Sequence, residues 1–226
     1  MRITKNLHDL KQRIAAACME TGRNENDVSI LAVSKRHDAD AIREAAAAGL
    51  QAMGENYLQE ALEKITVFGP EIEWHFIGRI QSNKTRLIAE NFQWVQTVSS
   101  ARIAERLSRQ RPDDRGDLNV CIQVDTDNSG EHEGIAPDEV EKLCEVVEGL
   151  PNLRLRGLMT IPLGSTNRAQ QRIPFRLLKE LHTGLIERGF PLDTLSMGMT
   201  GDLEAAVMEG STMVRIGTAL FGPRQY

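Results

Sequence analysis

The sequence predicts a single (β/α)8 TIM barrel, of the α/β class, for three reasons. Eight short apolar runs alternate with longer helical patterns along the 226 residues, as in parallel βαβ units. A chain of this length suits one barrel, which commonly takes about 250 residues as one domain. No GxGxxG motif opens the first helix, which disfavours the alternative of an open doubly wound sheet. We therefore expect one domain over residues 1–226.

The elements follow in order along the chain. An extra N-terminal helix is predicted over residues 1–22, because apolar side chains recur there at three- and four-residue steps. The strands are predicted at residues 28–34, 50–54, 73–78, 92–98, 118–124, 153–161, 194–198 and 212–217. Helical patterns cover residues 38–49, 55–65, 101–110, 137–149 and 174–189. Residues 111–117 and 162–174 are predicted as loops because they are rich in Gly, Pro and polar residues.

Composition and charge exclude several classes of protein. A formal net charge of -5 at pH 7 argues against nucleic-acid binding, which needs a clear basic excess. No apolar run approaches the roughly 18 residues of a membrane helix, and no signal peptide is evident. The three cysteines form no CxxC pair, so neither a disulfide framework nor a zinc site is predicted. We expect a cytoplasmic protein, and a monomer, since no partner signature is present.

In a parallel α/β barrel the functional face lies at the carboxyl ends of the strands, and Lys35 closes the first strand there. A lysine at a strand end is usually solvated at the rim of the barrel. Lys35, however, directly follows the apolar run LAVS, so its stem would lie against the barrel interior. Desolvation there favours the neutral amine that forms a Schiff base.

Two further strand ends carry polar residues with ordinary structural alternatives. Asn56 follows the second strand in GENY and either contacts a ligand or simply caps the next helix. His75 alternates with Trp74 and Phe76 on the third strand, which allows it to face the barrel interior. A core histidine satisfied by hydrogen bonds is at least as common as a catalytic one.

The last two strands predict a phosphate site. Each runs into small and hydroxyl residues, and barrels often bind phosphate at the loops after strands seven and eight. Hydroxyls and unhindered backbone N–H groups would come from Thr200, Gly201, Gly217 and Thr218, although ordinary turn chemistry would also use such residues.

Arg215 lies in the last strand between two apolar residues. If Val214 and Ile216 pack outward, Arg215 faces the interior, where an unpaired guanidinium is costly and requires an acid or a ligand. An amine at one strand end, a phosphate cradle and an arginine together suggest a phosphorylated aldehyde held as an imine.

Several ordered motifs closely resemble the YggS/PROSC family of pyridoxal 5'-phosphate (PLP) homeostasis proteins. The resemblance covers about residues 6–224 and rests on AVSK, MGENY, WHFIGRIQSNK, RGLMTIP, LSMGMTGDLEAA and GSTMVRIGTALFG. It implies a barrel like the N-terminal domain of alanine racemase, the fold type III PLP-binding barrel. It also implies a protein that binds PLP and influences vitamin B6 and amino-acid balance without robust turnover.

The resemblance assigns roles to ten residues. Lys35 would bind PLP covalently as an internal aldimine, and Arg215 would face the pyridine nitrogen. Asn56 and His75 would lie near the cofactor, and Met159 would help to shape its pocket. The residues around the phosphate would be Ser196, Thr200, Gly201, Gly217 and Thr218. No metal is implied, and apo forms of PLP-dependent enzymes are expected as recipients of the cofactor.

Some features depart from the family pattern, and other functions stay open. The loop at residues 125–135 is acidic where many relatives carry a basic stretch, and Arg36 and His37 replace the usual Thr-Lys pair. Thr200-Gly201 replaces Ser-Asp, which keeps a hydroxyl. A related racemase also needs a second base from another domain, whereas this sequence reaches Tyr226 directly after the barrel. The alternatives are a weak PLP-dependent amino-acid racemase, a cofactor-free Schiff-base lyase, or a sensor that acts through a protein partner.

Overall fold

The structure is a computed structural model that describes residues 2–127 and 133–222. Within these residues, eight parallel strands form one closed barrel in the order β1 to β8. The strands are β1 (Ser29–Val33), β2 (Ala52–Glu55), β3 (Glu73–Phe76), β4 (Trp94–Val98), β5 (Leu118–Gln123), β6 (Leu153–Met159), β7 (Thr194–Ser196) and β8 (Met213–Ile216). Strand β1 pairs with β2 on one side and with β8 on the other, which closes the barrel. The predicted fold class is confirmed, and every predicted strand forms.

Helices follow the strands and pack around the barrel. They are α1 (Arg2–Thr21), α2 (Ala39–Ala47), α3 (Leu58–Phe68), α4 (Thr85–Asn91), α5 (Ala101–Gln110), α6 (Val140–Glu148), α7 (Arg168–Glu187), α8 (Leu203–Met208) and α9 (Thr218–Phe221). The extra N-terminal helix α1 buries the apolar face that its sequence pattern predicts. None of the helices in the described ranges is long and apolar enough to span a membrane.

The start of α7 corrects one prediction. The segment at residues 162–174 was predicted as a loop that ends at Pro174, but α7 begins at Arg168 and Pro174 lies inside it. The physical reason is the cap, because Asn167 Oδ1 accepts hydrogen bonds from the backbone N–H groups of Ala169 at 2.9 Å and Gln170 at 3.3 Å. A proline costs a helix one backbone hydrogen bond but does not have to mark its start.

The interior of the barrel differs from the shell around it. The large apolar core lies between the strands and the helices and includes Val214 and Ile216. Inside the barrel, two small apolar clusters alternate with buried polar side chains. The first cluster contains Leu31, Val33, Ile77 and Met213, and the second contains Trp94, Cys121 and Met159. Buried polar side chains therefore contact one another along the barrel axis, below its open end.

Two sequence features lie partly outside the described residues. Of the acidic loop at residues 125–135, positions 128–132 are not described, and Tyr226 is not described either. The three cysteines are buried and free, as their spacing predicted.

Candidate functional site

A cavity of about 210 Å³ opens at the carboxyl ends of the strands. A second cavity of about 260 Å³ adjoins it, because Asn56, Ile77 and Ile161 line both. Seven of the ten predicted site residues line the first cavity: Lys35, Asn56, Thr200, Gly201, Arg215, Gly217 and Thr218. The fold thus brings together residues that are separated by more than half of the chain.

Lys35 lies at the start of the turn that ends β1. The turn closes with a hydrogen bond of 3.0 Å from the His37 N–H to the Ser34 carbonyl. Arg36 adopts a φ of +62°, a left-handed conformation that residues with a Cβ rarely take. Lys35 is half-buried and borders the cavity.

Asn56 does not cap a helix. Helix α3 begins at Leu58, Tyr57 is its N-terminal flanking residue, and no side chain caps it. The Asn56 Oδ1 atom is buried and has no hydrogen-bond partner among the described residues, and Asn56 lines the cavity. An orphan buried acceptor is uncommon in folded proteins, and a ligand with a donor group would satisfy it.

Gly78 explains how the loop that carries Asn56 is held. A Cβ atom at Gly78 would lie 2.0 Å from the Asn56 carbonyl oxygen, so only glycine allows this approach. The loops after β2 and β3 therefore pack backbone against backbone at the mouth of the cavity.

The loops after β7 and β8 form one side of the cavity. The Thr200 Oγ1 atom accepts a hydrogen bond of 3.3 Å from the Ala219 N–H, which ties the two loops together. The backbone N–H groups of Gly201 and Thr218 donate to no residue in the described ranges. Unpaired N–H groups beside a hydroxyl are the donors that a phosphate takes.

Arg215 borders the cavity from inside the barrel. Its side chain is 3% exposed, and Val214 and Ile216 pack outward as predicted. The guanidinium donates to the Ser196 carbonyl at 2.7 Å, to Ser196 Oγ at 2.8 Å and to the Thr160 carbonyl at 2.7 Å. These three acceptors are neutral oxygens. None of them is the acid or ligand that the sequence predicts as a partner of Arg215.

The charge of Arg215 persists at neutral pH. Burial lowers the pKa of Arg215 to about 10, and the Asp202 carboxylate opposes this effect from a distance. The cavity therefore contains a fixed positive charge that is desolvated and bound mainly by neutral oxygens. Such a group attracts an acceptor atom or an anion in a ligand.

A line of hydrogen bonds runs from Arg215 down the barrel axis, and we call it the Arg215 chain. Ser196 Oγ donates to Gln96 Oε1 at 2.6 Å, and Gln96 Nε2 lies 2.9 Å from His75 Nδ1. Because an amide nitrogen can only donate, His75 Nδ1 accepts and the ring proton lies on Nε2, which is 2.9 Å from Glu73 Oε1. Burial lowers the pKa of His75, against the opposing effect of Glu73. The ring is therefore neutral and acts as a link in the chain.

Three predicted residues do not line the cavity. Ser196 lies directly under it and binds the guanidinium, while His75 lies deeper and stacks on Trp94 with ring centroids 5.0 Å apart. Met159 is buried in the apolar cluster with Trp94 and Cys121. Their predicted contacts with a cofactor remain predictions.

Sequence reasoning missed the apolar lining of the cavity, which consists of Val33, Ile77, Ile161 and Met199. The two-residue period of strands could have indicated the first two. Val33 precedes Lys35 by two positions, and Ile77 follows His75 by two positions.

No cluster of three or more potential metal ligands occurs within residues 2–127 and 133–222. An amine, an arginine, an orphan amide oxygen and free N–H donors are groups that recognise a small phosphorylated molecule with polar substituents.

Comparisons with known proteins agree with this chemistry. The sequence matches the family described as alanine racemase, N-terminal domain, over residues 4–225. It is 50% identical over 231 residues to the pyridoxal phosphate homeostasis protein of Haemophilus influenzae, across 100% of this chain and 98% of the relative. The chain belongs to the pyridoxal phosphate homeostasis protein family. The resemblance predicted from the motifs is thereby confirmed.

Solved structures place the family within a wider fold. PipY of Synechococcus elongatus, solved with PLP bound, is 36% identical with a TM-score of 0.80, over 94% of this chain and 100% of PipY. The alanine racemase of Clostridium difficile is 16% identical with a TM-score of 0.77. That match covers 97% of this chain and 56% of the racemase, so the family shares the fold of the racemase barrel.

Proposed function

We propose that this protein binds PLP in the cavity of about 210 Å³ and acts in intracellular PLP homeostasis and amino-acid balance, without robust turnover. One observation carries the proposal. Lys35, Arg215 and the two loops after β7 and β8 meet in a single cavity, in a chain half identical to a pyridoxal phosphate homeostasis protein.

The residues present fit the chemistry of this cofactor. PLP brings an aldehyde that forms a Schiff base with an amine, a pyridine ring and a phosphate dianion. The free N–H groups of Gly201 and Thr218 suit the phosphate, and the orphan Asn56 Oδ1 suits a donor on the ring. Lys35 supplies the amine.

The remaining predicted contacts extend this assignment. We assign the phosphate to Thr200, Gly201, Gly217 and Thr218, with Ser196 acting through Arg215 rather than on the phosphate. His75 and Met159 support the site from below, because both lie buried inside the barrel beneath the cavity.

A binding role is favoured over racemisation by the electrostatics at Arg215. A permanent positive charge beside the pyridine nitrogen would disfavour its protonation, which weakens the ring as an electron sink. Racemisation also requires a second base. Tyr57 is the tyrosine near the cavity mouth within the described ranges, and it is 46% exposed and contacts Arg36. A weak racemase remains the second candidate because the fold is shared with alanine racemase.

The recipients of the cofactor are proposed to be apo forms of PLP-dependent enzymes. The cavity is open at the end of the barrel, and a Schiff base to one lysine is reversible in water. The protein can therefore both retain and release its ligand, which is what buffering or delivery requires. We propose a cytoplasmic monomer for this task.

The test of PLP binding is the visible absorbance of a Schiff base in the purified, PLP-loaded protein. We expect Lys35→Ala to abolish this band and the mass increment that borohydride reduction fixes. The matched control is Lys142→Ala, since Lys142 is exposed on α6, far from the cavity. A wild-type protein that neither absorbs nor gains mass would refute the proposal.

Two assays separate a delivery protein from a racemase. Activation of an apo-enzyme by loaded protein, faster than by dilution of free PLP, supports delivery. Exchange of the α-proton of amino acids in heavy water, in steady turnover above that of free PLP, would instead establish the racemase.

A further inference from the structure

A buried group of charged residues lies on the outer side of the turn that carries Lys35. We call it the Lys64 cluster, and it consists of Ser34, Glu55, Glu60 and Lys64. The Lys64 Nζ atom donates to Glu55 Oε1 at 2.7 Å and to Glu60 Oε1 at 2.6 Å. Glu55 is fully buried and Lys64 is 8% exposed. None of these residues lines the cavity, so ligand binding does not account for the free-energy cost of burying their charges.

The cluster holds the main chain on both sides of Lys35. On the preceding side, Lys64 Nζ donates to the Ser34 carbonyl at 2.7 Å, and Ser34 Oγ donates to Glu55 Oε1 at 2.6 Å. On the following side, the Arg36 N–H donates to Glu60 Oε1 at 2.5 Å. The two peptide groups that flank Lys35 are therefore both anchored to one cluster.

This anchoring accounts for the unusual backbone of the turn. Arg36 has a φ of +62°, which costs a residue with a Cβ about 1 kcal/mol or more. Charge-assisted hydrogen bonds to Glu60 and from Lys64 are strong enough to offset that cost. A turn held in this way fixes the position of the Cα atom of Lys35.

We propose that Glu55, Glu60 and Lys64 are positioning residues that set the reactivity of the Lys35 amine, without contact with the ligand. The inference rests on the proposed function, because it concerns how Lys35 reaches an aldehyde. In that reaction the amine nitrogen adds to the aldehyde carbon, and the aldehyde oxygen leaves as water. The rate depends on the approach of one nitrogen to one carbon, and a misplacement of about 1 Å can cost on the order of a hundredfold.

The geometry also separates two properties of the site. The phosphate donors come from the loops after β7 and β8, whereas the side-chain hydrogen bonds of the cluster join β2, α3 and the turn after β1. Loosening the turn should therefore slow Schiff-base formation and leave the recognition of the phosphorylated ring intact.

The experiment uses the full-length double variant Glu55→Gln/Lys64→Met, which removes the buried charge pair at nearly constant volume. Schiff-base formation is followed by stopped-flow absorbance after mixing with PLP. Equilibrium binding is measured with pyridoxine 5'-phosphate, whose alcohol cannot form the bond. We expect formation to slow by about tenfold or more, while affinity for the alcohol changes by less than about twofold.

The matched control is Glu209→Gln, another carboxylate with low exposure that binds two arginines, Arg172 and Arg176, away from the turn. It should leave both measurements unchanged. Formation at the wild-type rate in the double variant would overturn the inference, as would equal losses in rate and in affinity for the alcohol. If the wild-type protein itself forms no Schiff base, the proposed function fails instead.

Glu60→Gln tests the other side of the turn and keeps both members of the buried Glu55–Lys64 pair, although it also weakens the contact of Lys64 with residue 60. The amide oxygen can still accept from the Arg36 N–H, but without the negative charge. We expect a smaller slowing of Schiff-base formation than in the double variant, again with unchanged affinity for the alcohol. An effect on affinity rather than on rate would contradict a positioning role.

Discussion

The Lys64 cluster and the Arg215 chain support two basic side chains, Lys35 and Arg215, at the same cavity in opposite ways. The cluster binds the Lys64 ammonium between two carboxylates, Glu55 and Glu60, so its positive charge is more than offset. The chain binds the Arg215 guanidinium with carbonyl and hydroxyl oxygens and reaches a carboxylate only at its far end, at Glu73.

The difference shows where each region directs its electrostatic effect. Contacts between opposite charges rigidify the backbone, and the buried Glu55–Lys64 pair largely cancels its own field at the cavity. A single guanidinium among neutral acceptors keeps its field, which is then available to a ligand. The protein thus uses one group of residues to hold the turn of Lys35 and another to bind the Arg215 guanidinium.

Breaking the charge balance of the cluster should have the largest effect. Lys64→Met alone leaves the buried Glu55 carboxylate unpaired, and we expect the free energy of unfolding to fall by about 3–5 kcal/mol. Urea unfolding at neutral pH measures this. The double variant Glu55→Gln/Lys64→Met should recover most of the loss. Equal stability of the single and double variants would show that charge balance is not what the cluster provides.

Removing the positive charge of Arg215 should lower the free energy of unfolding less than Lys64→Met does, but it should lower the affinity for the ligand more. Arg215→Met leaves the Thr160 carbonyl without a donor among the described residues and removes the donor to Ser196 Oγ, while the Ser196 carbonyl still accepts from the Thr160 N–H. We therefore expect the free energy of unfolding to fall by about 1–3 kcal/mol. Affinity for pyridoxine 5'-phosphate should fall by about tenfold or more, because a charge-assisted contact is lost. Calorimetric titration measures the affinity. Unchanged affinity would mean that the field of Arg215 does not reach the ligand.

His182 provides the contrast of a buried polar side chain outside both groups. Both of its ring nitrogens lack hydrogen-bond partners, and burial lowers its pKa to about 4 from 6.5. Between pH 6.5 and pH 4, His182 is protonated in the unfolded chain but neutral in the folded protein. The free energy of unfolding therefore decreases as the pH falls from about 6.5 towards 4.

The matching variant is His182→Leu. Between pH 7 and pH 4.5, its free energy of unfolding should fall by roughly 2 kcal/mol less than that of the wild type, since the variant has no such proton to bind. Urea unfolding at the two pH values gives the difference. His8→Gln, at an exposed position on α1, serves as the control. A parallel pH dependence of wild type and His182→Leu would contradict the buried neutral state of His182.

The fold and much of the cavity could be predicted from the sequence because each signal is local. Apolar runs of strand length stand between helical patterns, Lys35 and Thr200 each follow a strand, and Arg215 lies within the last one. Since parallel strands bring their carboxyl ends to one face, these local signals were enough to bring distant residues together.

The remainder depends on contacts that no local pattern encodes. The prediction of a loop ending at Pro174 was wrong because Asn167 caps the helix earlier. The Lys64 cluster joins a strand end to a surface-like helical lysine nine positions later, and nothing in EALEK marks that lysine as buried. The depth of His75 was equally hidden, because alternation along a strand indicates a face but not a layer.

The contacts of α1 have a consequence for biosynthesis. Within this helix, Arg13 donates to the Thr200 carbonyl at 3.1 Å and pairs with Glu204, and Asn6 donates to the Leu220 carbonyl at 2.7 Å. The partners of α1 are therefore made about two hundred codons after it, so its apolar face is covered only late in synthesis. The same holds for β1, which pairs with β8. Lys35 is therefore synthesised long before the loops after β7 and β8, and the cavity is complete only once those loops have been made.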